Sequence, residues 1–166
     1  MARRLAQRGV RFIELIDSGS STATNWDAAH GDIKTHESRA RRVDQATAAP
    51  IWDLKGLGLS KGTLVVFTTE FGRTSFMDKP EAKGREHHNL AYSSWLAGAG
   101  VKPGITYGET DEFGIKIARN EVHVHDFHAI LLHLLGFDHE KLTFRHPGSD
   151  FRLTDVSGNV VKAILA

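Results

Sequence analysis

Ten histidines in 166 residues, several of them close to carboxylates, give this chain its first chemical character. Imidazole is the commonest protein metal ligand and the usual proton carrier near neutral pH, so the composition leans toward a metal or acid–base site. Three stretches carry the residue types such a site needs. In Asn25-Trp26-Asp27-Ala28-Ala29-His30 a carboxylate and an imidazole lie three residues apart. If the backbone turns there, both can reach one ion, because zinc accepts carboxylate oxygen and imidazole nitrogen at about 2.0–2.2 Å. The plainer alternative is a cap, with Asp27 accepting backbone N–H groups and His30 in water. In TLVVFTTEFGRT, residues 63–74, Glu70 ends an apolar run and Arg73 follows three residues later. In SFMDKPEAKGREHHN, residues 75–89, the dense polar cluster Arg85, Glu86, His87, His88 offers an imidazole that could complete a set with Asp27, His30 and Glu70. Two solvated histidines on a loop are the plainer alternative there.

These residues need elements to position them. Leu64, Val65, Val66 and Phe67 form an unbroken apolar run, the pattern of a strand covered on both faces in a parallel sheet. Ligands of open α/β sheets gather outside the carboxyl ends of such strands, which is where Glu70 falls. Upstream, residues 2–8 read as the end of a helix stopped by Gly9, residues 11–16 as a strand, and residues 17–25 as a loop of turn formers. Residues 37–55 read as a helix on the spacing of Val43, Thr47, Ile51 and Leu54, with Pro50 expected to kink or divide it near residues 46–49. Arg39, Arg41 and Arg42 read as its solvated face. Downstream, residues 90–99 suggest another strand, and ITYG and GIKIA flank an acidic hairpin tip at residues 109–112. Residues 122–136 give the clearest helix: Asp126 suits an N-cap, Phe127, Ile130, Leu131, Leu134 and Leu135 make the apolar stripe, and Gly136 stops it. His128 and His133 lie off that stripe. FRLTDV near the C-terminus is strand-like. A chain that opens on half a helix feeding straight into a strand looks cut from something longer.

The bulk numbers bound the answer. The length suits one domain with its own core. A net charge of +1 gives no electrostatic pull toward nucleic acid or an anionic membrane. The absence of cysteine removes disulfides and thiolate metal sites. No apolar run approaches the length of a membrane span, and the basic start MARRLAQRGV has no apolar stretch behind it that would make a signal peptide.

WD followed by His, then TLVVFTTEFGRT, GREHH, YSSWLAGAGVKPG, ITYGETDEFG and VHVHDFHAILLHLLGFDHEKLTFRHPGSDFRLTDV occur in that order. With these motifs the chain resembles, from about residue 3 to its end, the C-terminal part of a sulfatase-like family, domain of unknown function 1501, of the alkaline-phosphatase and sulfatase superfamily. The resemblance implies an α/β fold, a mainly parallel sheet flanked by helices in an α/β/α sandwich, as one domain over residues 1–166 that is incomplete at its N-terminus. It implies a metal-dependent hydrolase of sulfuric or phosphoric esters, small-molecule or carbohydrate, in an exported protein. The cofactor would be a divalent metal (zinc, manganese or calcium) held by Asp27, His30, Glu70 and His87, with His88 as a substitute. Arg73, Arg85 and His88 would fall to the substrate.

The chain departs from the superfamily in three respects. Phe71 stands where a second ligand is usual, the Asp27-to-His30 spacing is three rather than four, and the nucleophile is expected upstream of residue 1, so no catalytic residue is assigned. Phe71 speaks for a rival, a non-catalytic carbohydrate- or surface-binding member of the same fold. A structural metal domain without turnover is the third reading.

Overall fold

The structure is a computed structural model that describes residues 1–17, 25–79 and 81–166. Most of the turn-rich loop, residues 18–24, and Pro80 of the polar loop lie outside the described residues. In chain order the elements are α1 (Ala2–Gln7), a 3₁₀ turn (Trp26–His30), α2 (Thr35–Gly56), β1 (Leu64–Phe67), β2 (Gly72–Arg73), β3 (His87–His88), β4 (Trp95–Gly98), β5 (Glu109–Thr110), β6 (Ile117–Arg119), α3 (Val124–Leu134), β7 (Thr143–His146), β8 (Ser149–Arg152) and a closing 3₁₀ turn (Lys162–Ile164).

The strands form four separate antiparallel pairs, β1–β4, β2–β3, β5–β6 and β7–β8. The expected parallel-sheet α/β/α sandwich is therefore not the architecture of the described residues. The apolar run that suggested it pairs Leu64 with Gly98 and Phe67 with Trp95 in a two-stranded ribbon. Leu64 to Val66 are half-buried and Phe67 is exposed, so the run is not covered on both faces. A short apolar run cannot by itself separate these two settings. Parallel pairing also needs a crossover, usually a helix, and the described residues of 68–94 form no helix, only the short β2–β3 pair among named strands. Residues 11–16, read as a strand, form none: Phe12, Leu15 and Ile16 are all more than 70% exposed. β-forming residue types do not hold an extended segment in place without a partner strand.

α2 is rich in Ala and Arg, both strong helix formers, and starts just after Asp32, whose carboxylate accepts from the Lys34 N–H. It runs through Pro50 as one helix, so the expected division is absent. Leu54 is its buried side chain. Only part of the arginine face is solvated. Arg41 pairs with Glu37 one turn back at 2.7 Å, but Arg42 bonds Asp17 and Asn25. That fastens the two sides of the 17–25 loop to the helix.

α3 forms where the sequence placed it, with a different start. His123 is the N-cap, and Asp126 is the third helical residue, returning a bond to the His123 N–H in a capping box. At the far end Gly136 takes φ +87°, its N–H bonds the His133 carbonyl and that of Phe137 bonds Leu132. This is the Schellman closure that glycine permits. Ala129 and Ile130 are its buried side chains. A β5–β6 hairpin forms in the excursion expected at residues 105–118, but Glu109 and Thr110, expected at its tip, form β5 instead, and Asp111 accepts from the Ile115 and Lys116 N–H groups across the tip.

The packing is open. The chain exposes 12129 Å², against roughly 8,000 Å² for a compact monomer of this mass. Leu54, Ala129 and Ile130 are the buried apolar side chains among the described residues.

Candidate metal centre

The 3₁₀ turn that carries Asp27 and His30 is held on three sides. Before it, Asn25 is buried and its amide donates to the Asp17 carbonyl at 2.7 Å. The Trp26 indole N–H reaches the Asp17 carboxylate at 3.0 Å. Arg42 and that indole hold the Asp17 carboxyl below its ordinary range, Arg42 first. From α2, His36 Nε2 donates to the Trp26 carbonyl at 2.9 Å. From β2, the Arg73 guanidinium reaches the same carbonyl at 3.4 Å and Asp27 Oδ1 at 3.1 Å.

The facing side comes from the β2–β3 pair, in which Gly72 lies opposite His88 and Arg73 opposite His87. Gly72 is required there, since a Cβ would sit 2.2 Å from the Ala91 carbonyl oxygen. Strand geometry sends successive side chains to opposite faces, so His87 and His88 part company. His87 turns to Asp27, with Nε2 2.7 Å from Oδ1. His88 is buried, with Nε2 donating to the Gly114 carbonyl and Nδ1 accepting from the Leu90 and Ala91 N–H groups.

Asp27, His30 and His87 thus converge although the chain separates His87 from Asp27 by 60 residues. Their donor atoms all lie within 4.8 Å of one another. The two imidazoles stand 4.2 Å apart, centroid to centroid, and Phe71 packs against the outer face of His87 at 4.0 Å. The His87 hydrogen bond, followed by that from Arg73, holds the Asp27 carboxyl below its usual range. His30 Nε2 is the odd atom. It is closed off from solvent without a hydrogen-bond partner, 3.8 Å from Asp27 Oδ1 and 3.9 Å from Glu86 Oε2. A buried ring nitrogen without a partner is costly. One cation shared with Asp27 and His87 would satisfy it, and two nitrogens with one carboxylate oxygen suit zinc.

Of the residues singled out in the sequence, the structure brings together Asp27, His30, His87 and Arg73. Arg73 spends its contacts on Asp27 and the Trp26 and Arg85 carbonyls, so its first task is to hold the turn to the ribbon. Glu70 is exposed and bonds the neighbouring Thr69 hydroxyl at 2.9 Å, and is not among the converging donors. Arg85 is exposed, and His88 serves the loop backbone. Two residues outside the expected site contribute. Asp17 anchors the turn, and only its place beside a loop hinted at it. Glu86 approaches His30; its adjacency to His87 was visible, but strand alternation would have turned it away.

The chain belongs to the family described as "Protein of unknown function (DUF1501)", whose pattern matches residues 1–165. No curated protein and no solved structure matches it. No helix among the described residues is long and apolar enough to cross a membrane.

Proposed function

We propose that the chain binds a divalent metal through Asp27, His30 and His87, zinc ahead of manganese or calcium, and that this centre serves hydrolysis of a sulfuric or phosphoric ester. One observation carries the metal reading: the buried, unpartnered His30 Nε2 faces two other donors that converge on the same point. The two imidazoles favour zinc over calcium, which prefers six to eight oxygens. A bound divalent ion would supply Lewis acidity toward an ester oxygen and lower the pKa of a coordinated water.

The chain's own residues then have distinct tasks. Asp27 and the two imidazoles set the position of the charge. Arg73 fixes Asp27 from below, and Phe71 shields one face of His87. The exposed Arg85 offers a planar fork suited to a tetrahedral oxyanion. A catalytic zinc keeps a position that an ester oxygen can take, and the three converging donors set where that position lies. The resemblance to sulfatase-like proteins supports the ester as substrate class.

Zinc titration of the purified chain, followed by assays on p-nitrophenyl phosphate and p-nitrophenyl sulfate, tests both parts. One ion per chain and turnover lost in Asp27→Asn is the expected result. Binding without turnover would leave a structural metal site. No binding would overturn the metal reading and leave the carbohydrate- or surface-binding alternative ahead.

A further inference from the structure

The charges around the three donors do not balance. Asp27 carries one negative charge, and Arg73 lies 3.1 Å from its Oδ1 with one positive charge. Both imidazoles must be neutral to bind a metal through nitrogen. A divalent ion at this point therefore faces almost no net negative charge from the chain, in a corner where one ligand nitrogen is already cut off from water. A second carboxylate is what the site lacks. Two glutamates are near in sequence to the donors. Glu70 is exposed and engaged by Thr69. Glu86 is half-buried and places Oε2 at 3.9 Å from His30 Nε2.

Which ring nitrogen Glu86 approaches decides its role. A carboxylate that merely orients a metal-binding histidine bonds the nitrogen that does not bind the metal. Glu86 sits instead by Nε2, the same nitrogen that faces Asp27. It therefore stands on the metal side of the ring. Two atoms bound to one tetrahedral zinc lie roughly 3.4 Å apart, from bonds of about 2.1 Å. The separations of His30 Nε2 from Asp27 and from Glu86, 3.8 and 3.9 Å, are close to that edge length. The Glu86 backbone is fixed for the purpose. Its N–H donates to Thr74 Oγ1 and its carbonyl accepts the Thr74 N–H, and Thr74 is itself buried beside Arg73. Glu86 stands outside the three-residue group whose donor atoms lie within 4.8 Å of one another, so its side chain must turn about its own bonds to bring an oxygen to the ion.

We infer that Glu86, rather than Glu70, is the second carboxylate of the centre, a fourth donor beside Asp27, His30 and His87. This inference rests on the metal reading above. It adds that the ester-free centre is closed by Glu86, so an anionic ester must enter by displacing that carboxylate or as a fifth donor.

Zinc affinity of the full chain, measured by calorimetry with a competing chelator, tests it, with far-ultraviolet circular dichroism to check the fold of each variant. Glu86→Gln should weaken zinc binding by at least tenfold, Glu70→Gln should leave it within twofold of the parent, and Glu86→His, which restores a donor, should recover part of the loss. With cobalt in place of zinc, Glu86→Gln should also shift the visible absorption while Glu70→Gln does not. Unchanged affinity and an unchanged cobalt spectrum in Glu86→Gln would overturn the inference while leaving the three-donor centre standing. A loss in Glu70→Gln alone would hand the role to Glu70. No zinc binding by the parent chain would overturn the metal reading and this inference together. If Glu86→Gln does not fold, Glu86→His carries the test: zinc affinity more than twofold below the parent, with an altered cobalt spectrum, supports the role. A parent-like affinity and spectrum, which an imidazole in place of a ligating carboxylate would not preserve, overturns it.

Discussion

α3 and the metal corner are held by different forces. α3 closes over Ala129 and Ile130, 0% and 1% exposed, and the turn after it is tied to the tail by a buried His139–Thr154 hydrogen bond of 3.0 Å. Among the described residues, no apolar side chain of the corner around Asp27 is buried to that degree. It is held by Arg73, by His36 on the Trp26 carbonyl and by the Arg42–Asp17–Asn25 network. Packing of the first kind stabilises a fold whether or not a ligand is present. Half-exposed ion pairs of the second kind contribute little by themselves. The corner also leaves a buried imidazole nitrogen unpaired, a cost that a bound cation would remove. Apolar packing thus holds one region, and polar contacts hold the other.

The comparison can be broken most directly at Ile130. Ile130→Ala should lower the unfolding free energy by about 2–5 kcal/mol, the usual range for emptying a buried aliphatic site, when followed by urea unfolding. Its zinc affinity should stay within twofold of the parent. An affinity that fell in step with stability would show that the two regions are one unit. The reverse experiment works on the corner. Zinc at a hundredfold excess over its dissociation constant should raise stability by about 2.7 kcal/mol through linkage alone. The rise should be present in Ile130→Ala and absent in Asp27→Asn. Thermal unfolding with and without zinc measures both.

The same contrast explains what could be read from the sequence. α3 was legible because its signals are local: a 3.6-residue apolar stripe, Gly136 at the stop, and the off-stripe His128 and His133 exposed as expected. Even there, choosing between Asp126 and His123 as the cap depended on a side-chain geometry that residue type does not reveal. The β5–β6 hairpin was legible as an excursion, but its tip falls after Glu109 and Thr110, which pair as β5. The sheet was not legible. An apolar run of four residues has no period, and its partner in β4 is fixed by contacts far along the chain. The metal corner lay in between. Asp27, His30 and His87 were chosen by chemistry, and the structure brings them together. Glu70 was chosen by a rule about parallel strands that does not apply to a two-stranded ribbon. Glu86 sits in the visible polar cluster with His87, but its approach to His30 depends on where the fold brings residues 30 and 86 together.

A smaller effect is expected at Gly72. Gly72→Ala places a methyl group 2.2 Å from the Ala91 carbonyl oxygen, and backbone cannot yield as a flexible side chain can. The β2–β3 pair must shift, at a cost of about 1–3 kcal/mol by analogy with overpacked sites. Because Arg73 and His87 are partners in that pair, zinc affinity should fall as well, unlike in Ile130→Ala. Loss of stability with full zinc affinity would mean that the ribbon does not position the donors.

The smallest effect is on acid stability without metal, and its sign follows from the contacts of Asp27. The His87 hydrogen bond, and after it Arg73, lower the folded-state pKa of Asp27 below its ordinary 3.8. A depressed carboxyl contributes stability above the unfolded pKa and loses it as pH falls through the folded value. The zinc-free parent should therefore lose stability more steeply below about pH 4 than Asp27→Asn, which has no such proton to bind. The side chain is 47% exposed, so solvent screening keeps the difference small. Asp17 and Asp138 are also held low, by Arg42 and by Lys141 first, but they titrate in both proteins and cancel in the comparison. Urea unfolding at intervals from about pH 5 to about pH 2 covers the window. Parallel curves would mean that the Asp27–His87–Arg73 contacts are not formed without metal, and the corner would then be assembled by its ligand rather than waiting for it.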